Sequence, residues 1–230
     1  MPAPTVLEVR WSGELPPWDP SLPPSPPLSA KDVEAALEEG LRASLRQDPP
    51  REILFVEPLG PIADLAAKAR VWGAERVGVY SRRAMEGFDG ADHRLGPSVS
   101  GRSSTAVLEA ADVPVPGTNA VLVVAPGEAD DSVVRRLDDA TAAGADPVVL
   151  GPPACVLRAA GVPDALGRMA AWPNRVVVTA GAGPTLWNPG RVRFVRPDLC
   201  RGCAVAAQCA GFRHDFEAAI PRAAPFEVAA

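Results

Sequence analysis

The 230-residue chain has little of several residue types, because it contains only four cysteines, two histidines and one tyrosine. Basic residues are also in the minority: 23 Lys and Arg stand against 28 Asp and Glu, which gives a net charge of −5. Without an excess of positive charge there is no basic field to hold a phosphate backbone or an anionic lipid surface. We therefore expect neither nucleic acid nor a membrane as the main partner.

Long hydrophobic runs are missing as well. No apolar stretch approaches the ~20 residues of a membrane span, and the N-terminal "MPAPTVLEVRW" does not have the charged-then-apolar order of a secretory signal. The sequence therefore predicts a cytoplasmic protein. In a reducing cytosol, a close group of cysteines is more often a metal or redox site than a disulfide framework.

Runs rich in Val, Ile and Leu, continuous and without alternation, indicate strands of a parallel sheet that is covered on both faces. They lie at residues 5–11, 52–57, 76–81, 119–125, 147–152 and 175–180. Helices are predicted between them at 30–45, 61–73 and 130–144, with Ser29 as the N-cap of the first and Gly144 at the end of the third. This alternation predicts an α/β protein with either a doubly wound sheet or a barrel, partial or closed.

Residues 12–28, "SGELPPWDPSLPPSPPL", form a proline-rich loop directly after the first strand. Loops at the carboxyl ends of parallel strands usually carry the chemistry of such folds. This loop contains no Cys, His, Lys or Arg, so Glu14 and Asp19 are its only ionisable side chains. We expect Trp18, in the same loop, at a contact surface.

Cys200, Cys203 and Cys209 have the spacing C-x2-C-x5-C in "LCRGCAVAAQCAGF". Two thiolates separated by two residues can bind one metal, and a third five residues later can close the same face. We expect the fourth ligand to be Cys155, at the carboxyl end of the fifth strand, where a C-terminal segment could fold back over it; His214 is the rival. Zinc usually takes two C-x2-C pairs, so the pattern favours an iron–sulfur cluster slightly and leaves zinc open.

The tail "PDLCRGCAVAAQCAGFRHDF" resembles the C-terminal auxiliary-cluster segment of radical SAM enzymes of the SPASM/Twitch group, and "GPPACVL" is similar to the upstream segment that supplies another ligand. The stretches "VLEVRW", "ILFVEPLGPIADLAAKARVWGAERVGVYSRR" and "VPVPGTNAVLVV" resemble elements of the radical SAM barrel. The resemblance implies a partial (β/α)6 TIM-like barrel over residues 1–182 and a short cysteine-rich, cluster-binding extension over 183–230. It also implies that one 4Fe-4S cluster is bound by Cys155, Cys200, Cys203 and Cys209.

One departure from the radical SAM pattern determines the expected function. In that family a C-x3-C-x2-C loop after the first strand binds the cluster that cleaves S-adenosylmethionine, whereas residues 12–28 contain no cysteine. We therefore expect no intact S-adenosylmethionine site and predict no catalytic residue. The resulting hypothesis is a pseudoenzyme that keeps an auxiliary 4Fe-4S cluster. It would act as an electron-relay or substrate-docking subunit of an intact radical SAM protein, in the maturation of a peptide or small-molecule cofactor.

Two alternatives stay open. One is a stand-alone enzyme with new chemistry at the barrel mouth, for which the candidate groups are Glu14, Asp19, Glu57 and His93. These groups form no convincing acid–base pair in the sequence, and a lone loop histidine such as His93 is expected to be solvated. The other alternative is a zinc-stabilised structural or interaction protein that uses the same four cysteines.

Overall fold

The computed structural model describes residues 5–10, 16–18, 29–44, 51–58, 60–83, 89–97, 99, 104–112, 116, 118–170, 174–180, 184–187, 194–207, 209 and 211–227. The chain divides into two compact units. Unit 1 comprises Met1–Ala106 and Pro173–Gly190, and unit 2 comprises Val107–Trp172 and Arg191–Ala230. The expected boundary between a barrel and an extension at residue 182 stays a prediction.

The strands, in chain order, are β1 (Thr5–Arg10), β2 (Glu52–Val56), β3 (Arg76–Tyr80), β4 (His93–Gly96), β5 (Ser104–Leu108), β6 (Asn119–Val123), β7 (Pro147–Leu150), β8 (Asn174–Ala180), β9 (Pro184–Trp187), β10 (Phe194–Val195) and β11 (Phe212–Arg213). The α-helices are α1 (Ala30–Ser44), α2 (Ala63–Val71), α3 (Asp130–Ala142), α4 (Ala154–Ala159) and α5 (Ala165–Arg168). Within the described residues, 3-10 helices follow at Asp198–Cys200 and His214–Arg222. No helix in the described ranges is both long and apolar enough to cross a membrane.

Unit 1 is built on a mostly parallel sheet with the strand order β5-β4-β3-β2-β1-β8-β9. In this sheet order, each strand from β5 through β1 to β8 runs parallel to its neighbour. Strand β9 then runs antiparallel to β8. The predicted α/β class and parallel sheet are confirmed. In unit 1, strands β4, β5 and β9 lie where the sequence predicts no strand. The sixth predicted strand, β8, lies beside β1 on the side opposite to β2.

Helix α1 begins as its sequence predicts. The Ser29 hydroxyl oxygen accepts a hydrogen bond from the Asp32 backbone N–H at 3.3 Å, so Ser29 is the N-cap. Apolar residues at spacings of three and four form the buried face: Val33, Ala36, Leu37 and Leu41. Leu45, the last residue of the predicted helix, lies outside the described residues. The helix contacts β1, β8 and β9.

The faces of the strands in unit 1 differ in chemistry, because successive side chains point to opposite sides of a sheet. One face packs with α1 and α2 and is apolar: Leu7, Val9, Ile53, Phe55, Val77 and Val79. The alternate residues of these strands point to the other face of the sheet. They include Glu8, Arg10 and Glu52, which are buried as well. The expectation of continuous apolar strands is therefore wrong for β1 and for the start of β2.

Unit 2 contains the parallel pair β6–β7, with α3 in the connection between the two strands. The chain then turns at Gly151, which has φ +131°, and enters α4 at Ala154. A Cβ atom at Gly151 would lie 2.9 Å from the Phe216 ring and 2.9 Å from the Val124 carbonyl oxygen. Glycine at this turn therefore lets the 3-10 helix His214–Arg222 pack closely against the end of β7.

Gly96 in β4 gives a direct test of the strand packing in unit 1. A Cβ atom there would collide with the backbone carbonyl oxygen of Ser81, which cannot swing away as a side chain can. We expect Gly96→Ala to lower the free energy of unfolding by about 1–3 kcal/mol. Gly60→Ala is the control, because nothing lies within 4 Å of its Cβ position. Equal urea midpoints for the two variants would contradict the close approach.

Candidate metal centre

All four cysteines of the chain line one pocket in unit 2. The pocket encloses about 350 Å³, open solvent at its mouth included. The other residues that line it are Arg196, Leu199, Val205, Ala206, Gly211 and Phe212. The four thiols are free. The structure therefore brings together the set of cysteines that the sequence analysis grouped.

Cys155 reaches this pocket from the junction between β7 and α4. It lies in the first turn of α4, after the extended backbone of Pro153. Cys155 is 7% exposed. The C-terminal segment folds back onto it, because the Ala224 N–H donates to the Cys155 carbonyl oxygen at 3.0 Å. The guanidinium of Arg158 extends the same contact: it donates to the Pro225 carbonyl oxygen at 3.0 Å and lies 5.0 Å from the centre of the Phe226 ring.

The other three cysteines are positioned by a compact chain of turns. Cys200 ends a 3-10 helix, the Cys203 N–H donates to the Cys200 carbonyl oxygen at 3.3 Å, and the Cys209 N–H donates to the Val205 carbonyl oxygen at 3.1 Å. The antiparallel pair β10–β11 brackets this segment on both sides. Gly211, with φ +102°, completes the return to β11. The three thiols are half-buried.

Apolar packing holds the two parts of the site together. The cluster of buried residues around the pocket consists of Cys155, Val156, Phe212 and Ala219, with Val195, Leu199, Cys200, Ile220, Ala223 and Phe226 packed against it. It draws on α4, both β10 and β11, and the 3-10 helix His214–Arg222. Hydrophobic burial therefore supports the same arrangement as the hydrogen bond between Ala224 and Cys155.

The thiols influence one another electrostatically. Burial raises the pKa of Cys155 to about 12, and the nearby Cys209, Cys200 and Cys203 add to the rise. Burial, together with Cys209 and Cys203, also raises the pKa of Cys200, and the Arg196 guanidinium opposes that rise. Such mutual repulsion of thiolates is relieved when a cation binds between them.

The arrangement of the sulfurs falls short of ligand geometry. Across the described ranges, no group of three or more His, Cys, Asp or Glu side chains is set closely enough to hold a metal ion as it stands. A metal or cluster would therefore have to draw the four sulfurs together and displace their protons. The donor set itself, four thiols around one pocket, fits zinc and iron–sulfur clusters.

His214, the rival fourth ligand, does not line the pocket. It begins the second 3-10 helix, its side chain is 55% exposed, and its Nδ1 pairs with the Glu217 carboxylate. The geometry therefore favours Cys155 over His214 as the fourth group.

Of the other candidate groups, the two that the structure describes, His93 and Glu57, do not pair with each other. His93 is not a solvated loop residue: it is the first residue of β4, its side chain is 23% exposed, and its Nε2 lies 3.1 Å from the Glu52 carboxylate. His93 is paired with Gly78 of β3, and Gly78 is paired with Leu54 of β2, so His93 lies level with Leu54 across the sheet. Glu57 lies three residues further along, about 10 Å in the strand direction. Glu14 and Asp19 lie outside the described residues.

Glu57 has a structural role at the carboxyl end of β2. Its φ of 50° is rare for a residue other than glycine, and the residue is buried. One carboxylate oxygen accepts from the Ser81 hydroxyl at 3.0 Å, and the other accepts from the Arg82 N–H at 2.7 Å. The side chain thus joins the end of β2 to the chain after β3.

Unit 1 contains a buried polar group that was not predicted from the sequence. Arg10 Nε donates to the Glu8 carboxylate at 2.6 Å, and Trp18 Nε1 donates to the same carboxylate at 3.3 Å. Trp18 also packs edge-on to Tyr80, with ring centres 4.7 Å apart. The expectation that Trp18 lies at a contact surface is wrong, because it is 6% exposed. The alternation of charged and apolar residues in "VLEVR" was the available signal.

No family model, curated protein or solved structure matches the chain.

The raised pKa of Cys155 predicts a loss of stability at alkaline pH. The thiol keeps its proton to about pH 12 in the folded chain and to about pH 9 when unfolded. Between these values the unfolded state binds fewer protons, so the free energy of unfolding falls as pH rises, by at most about 1.4 kcal/mol per pH unit from this thiol.

Urea denaturation of the reduced, metal-free protein at several pH values measures the slope of the free energy of unfolding against pH. Cys155→Ala should flatten it, and Cys203→Ala controls for the loss of a thiol. Equal slopes in wild type and Cys155→Ala would contradict the prediction.

Proposed function

We propose that this chain is a degenerate radical-SAM-like protein that binds one auxiliary 4Fe-4S cluster and acts as a non-catalytic subunit of an intact radical SAM enzyme. One observation carries the proposal: Cys155, distant in the sequence, lines a single pocket of unit 2 together with the three cysteines of the C-x2-C-x5-C segment. Thiolates are the ligands that iron–sulfur clusters take, and their scattered spacing is tolerated by such clusters.

The proposal excludes a second, catalytic cluster on the same chain. A cluster that cleaves S-adenosylmethionine needs its own cysteine ligands, and the chain has four cysteines in all. All four belong to the pocket described above. The protein therefore supplies binding or electron transfer, while the radical chemistry belongs to a partner.

The proposed architecture is the partial (β/α)6 barrel with a cluster-binding extension. In its favour, β1, β2 and β3 are neighbours in chain order with α1 and α2 in their connections. The position of β8 beside β1 departs from an open partial barrel with strands in chain order, in which the first and last strands lie at opposite edges. The cluster segment is supported by the fold of residues 194–227 back onto α4.

The class of the partner follows from the lack of a cluster on this chain that could cleave S-adenosylmethionine. An auxiliary cluster without an electron source on its own chain must exchange electrons with another protein, or else hold a substrate for one. We propose an intact radical SAM protein as that partner, in the cytoplasm, with a peptide or small-molecule substrate. The acidic net charge of −5 gives no support to nucleic acid as a partner.

Zinc is the second candidate, because the same four thiols also suit a tetrahedral zinc site. In that case the protein would be a structural or interaction protein, and the metal would stabilise the fold of the C-terminal segment. Metal content separates the two functions.

Anaerobic purification gives the first test. We expect a brown protein with about four irons per chain and absorbance near ~400 nm, since the four thiols would bind one cluster. Cys155→Ala should lower the iron content strongly, whereas His214→Ala should keep it. A colourless protein with about one zinc per chain, or equal iron loss in both variants, would contradict the proposed cluster or its ligands.

Association with the partner gives the second test. We expect the protein to co-purify anaerobically with the product of a neighbouring gene that carries an intact C-x3-C-x2-C motif, at equal amounts in size-exclusion chromatography. An unrelated acidic protein of similar size is the control for non-specific binding. Separate elution of the two chains would count against the subunit role.

A further inference from the structure

The pocket contains one basic side chain among its described lining residues, that of Arg196. Arg196 directly follows β10, and its Nη2 donates to the Cys209 carbonyl oxygen at 2.8 Å. A single positive charge is thereby placed beside the last cysteine of the C-x2-C-x5-C segment. Arginine suits this role because its guanidinium stays charged at all physiological pH values.

Gly211 lies close against the stem of this arginine. A Cβ atom at Gly211 would lie 3.0 Å from Arg196 Cγ and 2.6 Å from the Val195 carbonyl oxygen, so only glycine leaves room for the arginine stem. The Gly211 N–H also donates to the Cys209 sulfur, with a nitrogen–sulfur distance of 3.4 Å. The same corner of the pocket therefore receives a cation and a hydrogen-bond donor.

We propose that Arg196, together with the Gly211 N–H, raises the reduction potential of the cluster bound in this pocket. The inference rests on the proposed function, because it requires a 4Fe-4S cluster. Four thiolates outweigh the positive charge of the iron–sulfur core, and the net negative charge grows when the cluster accepts one electron from an external low-potential donor. No covalent bond changes in that step. A nearby cation and a donor to sulfur stabilise the reduced form more than the oxidised form.

Arg201 provides a matched control within the same segment. It is next to Cys200 in the sequence, its side chain is 86% exposed, and it pairs with Asp198 at 3.2 Å. It does not line the pocket. Replacing Arg196 or Arg201 with glutamine removes the same charge from the chain, so a difference between the variants reports the position of the charge.

The experiment is an anaerobic redox titration of the iron-loaded protein with dithionite as the one-electron donor, followed by absorbance near ~400 nm, with iron content measured for each variant. For Arg196→Gln we expect an unchanged iron content. We also expect the ratio of reduced to oxidised cluster at a fixed potential to be roughly three- to tenfold lower. A tenfold change corresponds to a shift of about 59 mV in the reduction potential of a one-electron couple. Arg196→Lys keeps the charge, so it should lower the ratio of reduced to oxidised cluster less than Arg196→Gln does. Arg201→Gln should stay close to wild type, because the Arg201 side chain does not line the pocket and its charge is paired with Asp198.

Each outcome bears on one of the two proposals. Equal shifts in Arg196→Gln and Arg201→Gln, or no shift in either, would overturn the role of Arg196. Loss of iron in Arg196→Gln would also overturn it, because the arginine would then act as structural support for the Cys209 carbonyl. A wild-type protein that takes up no iron would defeat the proposed function itself.

Discussion

The geometry of the candidate metal centre depends on the hydrogen bond between the Ala224 N–H and the Cys155 carbonyl oxygen, 3.0 Å long, and on the contacts around it. Cys155 and the other three cysteines are far apart in the sequence, so bringing them together costs loop-closure entropy. The Arg158 bond to Pro225 and the packing of Arg158 on Phe226 anchor the end of the chain on α4. With that end anchored, the segment between β10 and β11 carries its thiols to the side of Cys155. The pocket is thus a consequence of tail docking, and local turns alone do not produce it.

The segment that carries three of the thiols has little regular structure to hold it. Strands β10 and β11 have two residues each, and an isolated two-stranded hairpin is at best marginally stable. Burial of Phe212 and Ala219 contributes to its stability, and thiolate–metal bonds would contribute more, because metal binding free energy is also folding free energy. The raised pKa of Cys155 works against the metal, since its proton must be displaced first. Under the proposed function, metal uptake and folding of this segment are therefore coupled.

The sequence predicts the long elements well and the short ones poorly, for physical reasons. Helix α1 has an N-cap at Ser29 and an apolar face, and both are present in the structure. Strand β4 has four residues, among them His93 and Arg94, and its half-buried positions give no apolar run to recognise. The spacing of Cys200, Cys203 and Cys209 predicted a shared site, and the position of Cys155 after a strand predicted its place beside them. The contact of Arg196 with the Cys209 carbonyl oxygen could not be found in this way, because it depends on the turn at Gly211, which brings residues 196 and 209 together.

Two buried carboxylates of unit 1, those of Glu57 and Glu8, are held in place by the fold. A general base must reach the proton that it removes, and its pKa must suit the operating pH. Both oxygens of Glu57 accept hydrogen bonds from Ser81 and Arg82, and these bonds hold a backbone with φ 50° in place. Drawing this carboxylate into catalysis would break the contacts that offset its strained backbone. Glu8 is engaged in the same way by Arg10 and Trp18. These two buried acids therefore serve the fold of unit 1, whereas the four thiols of unit 2 line a pocket.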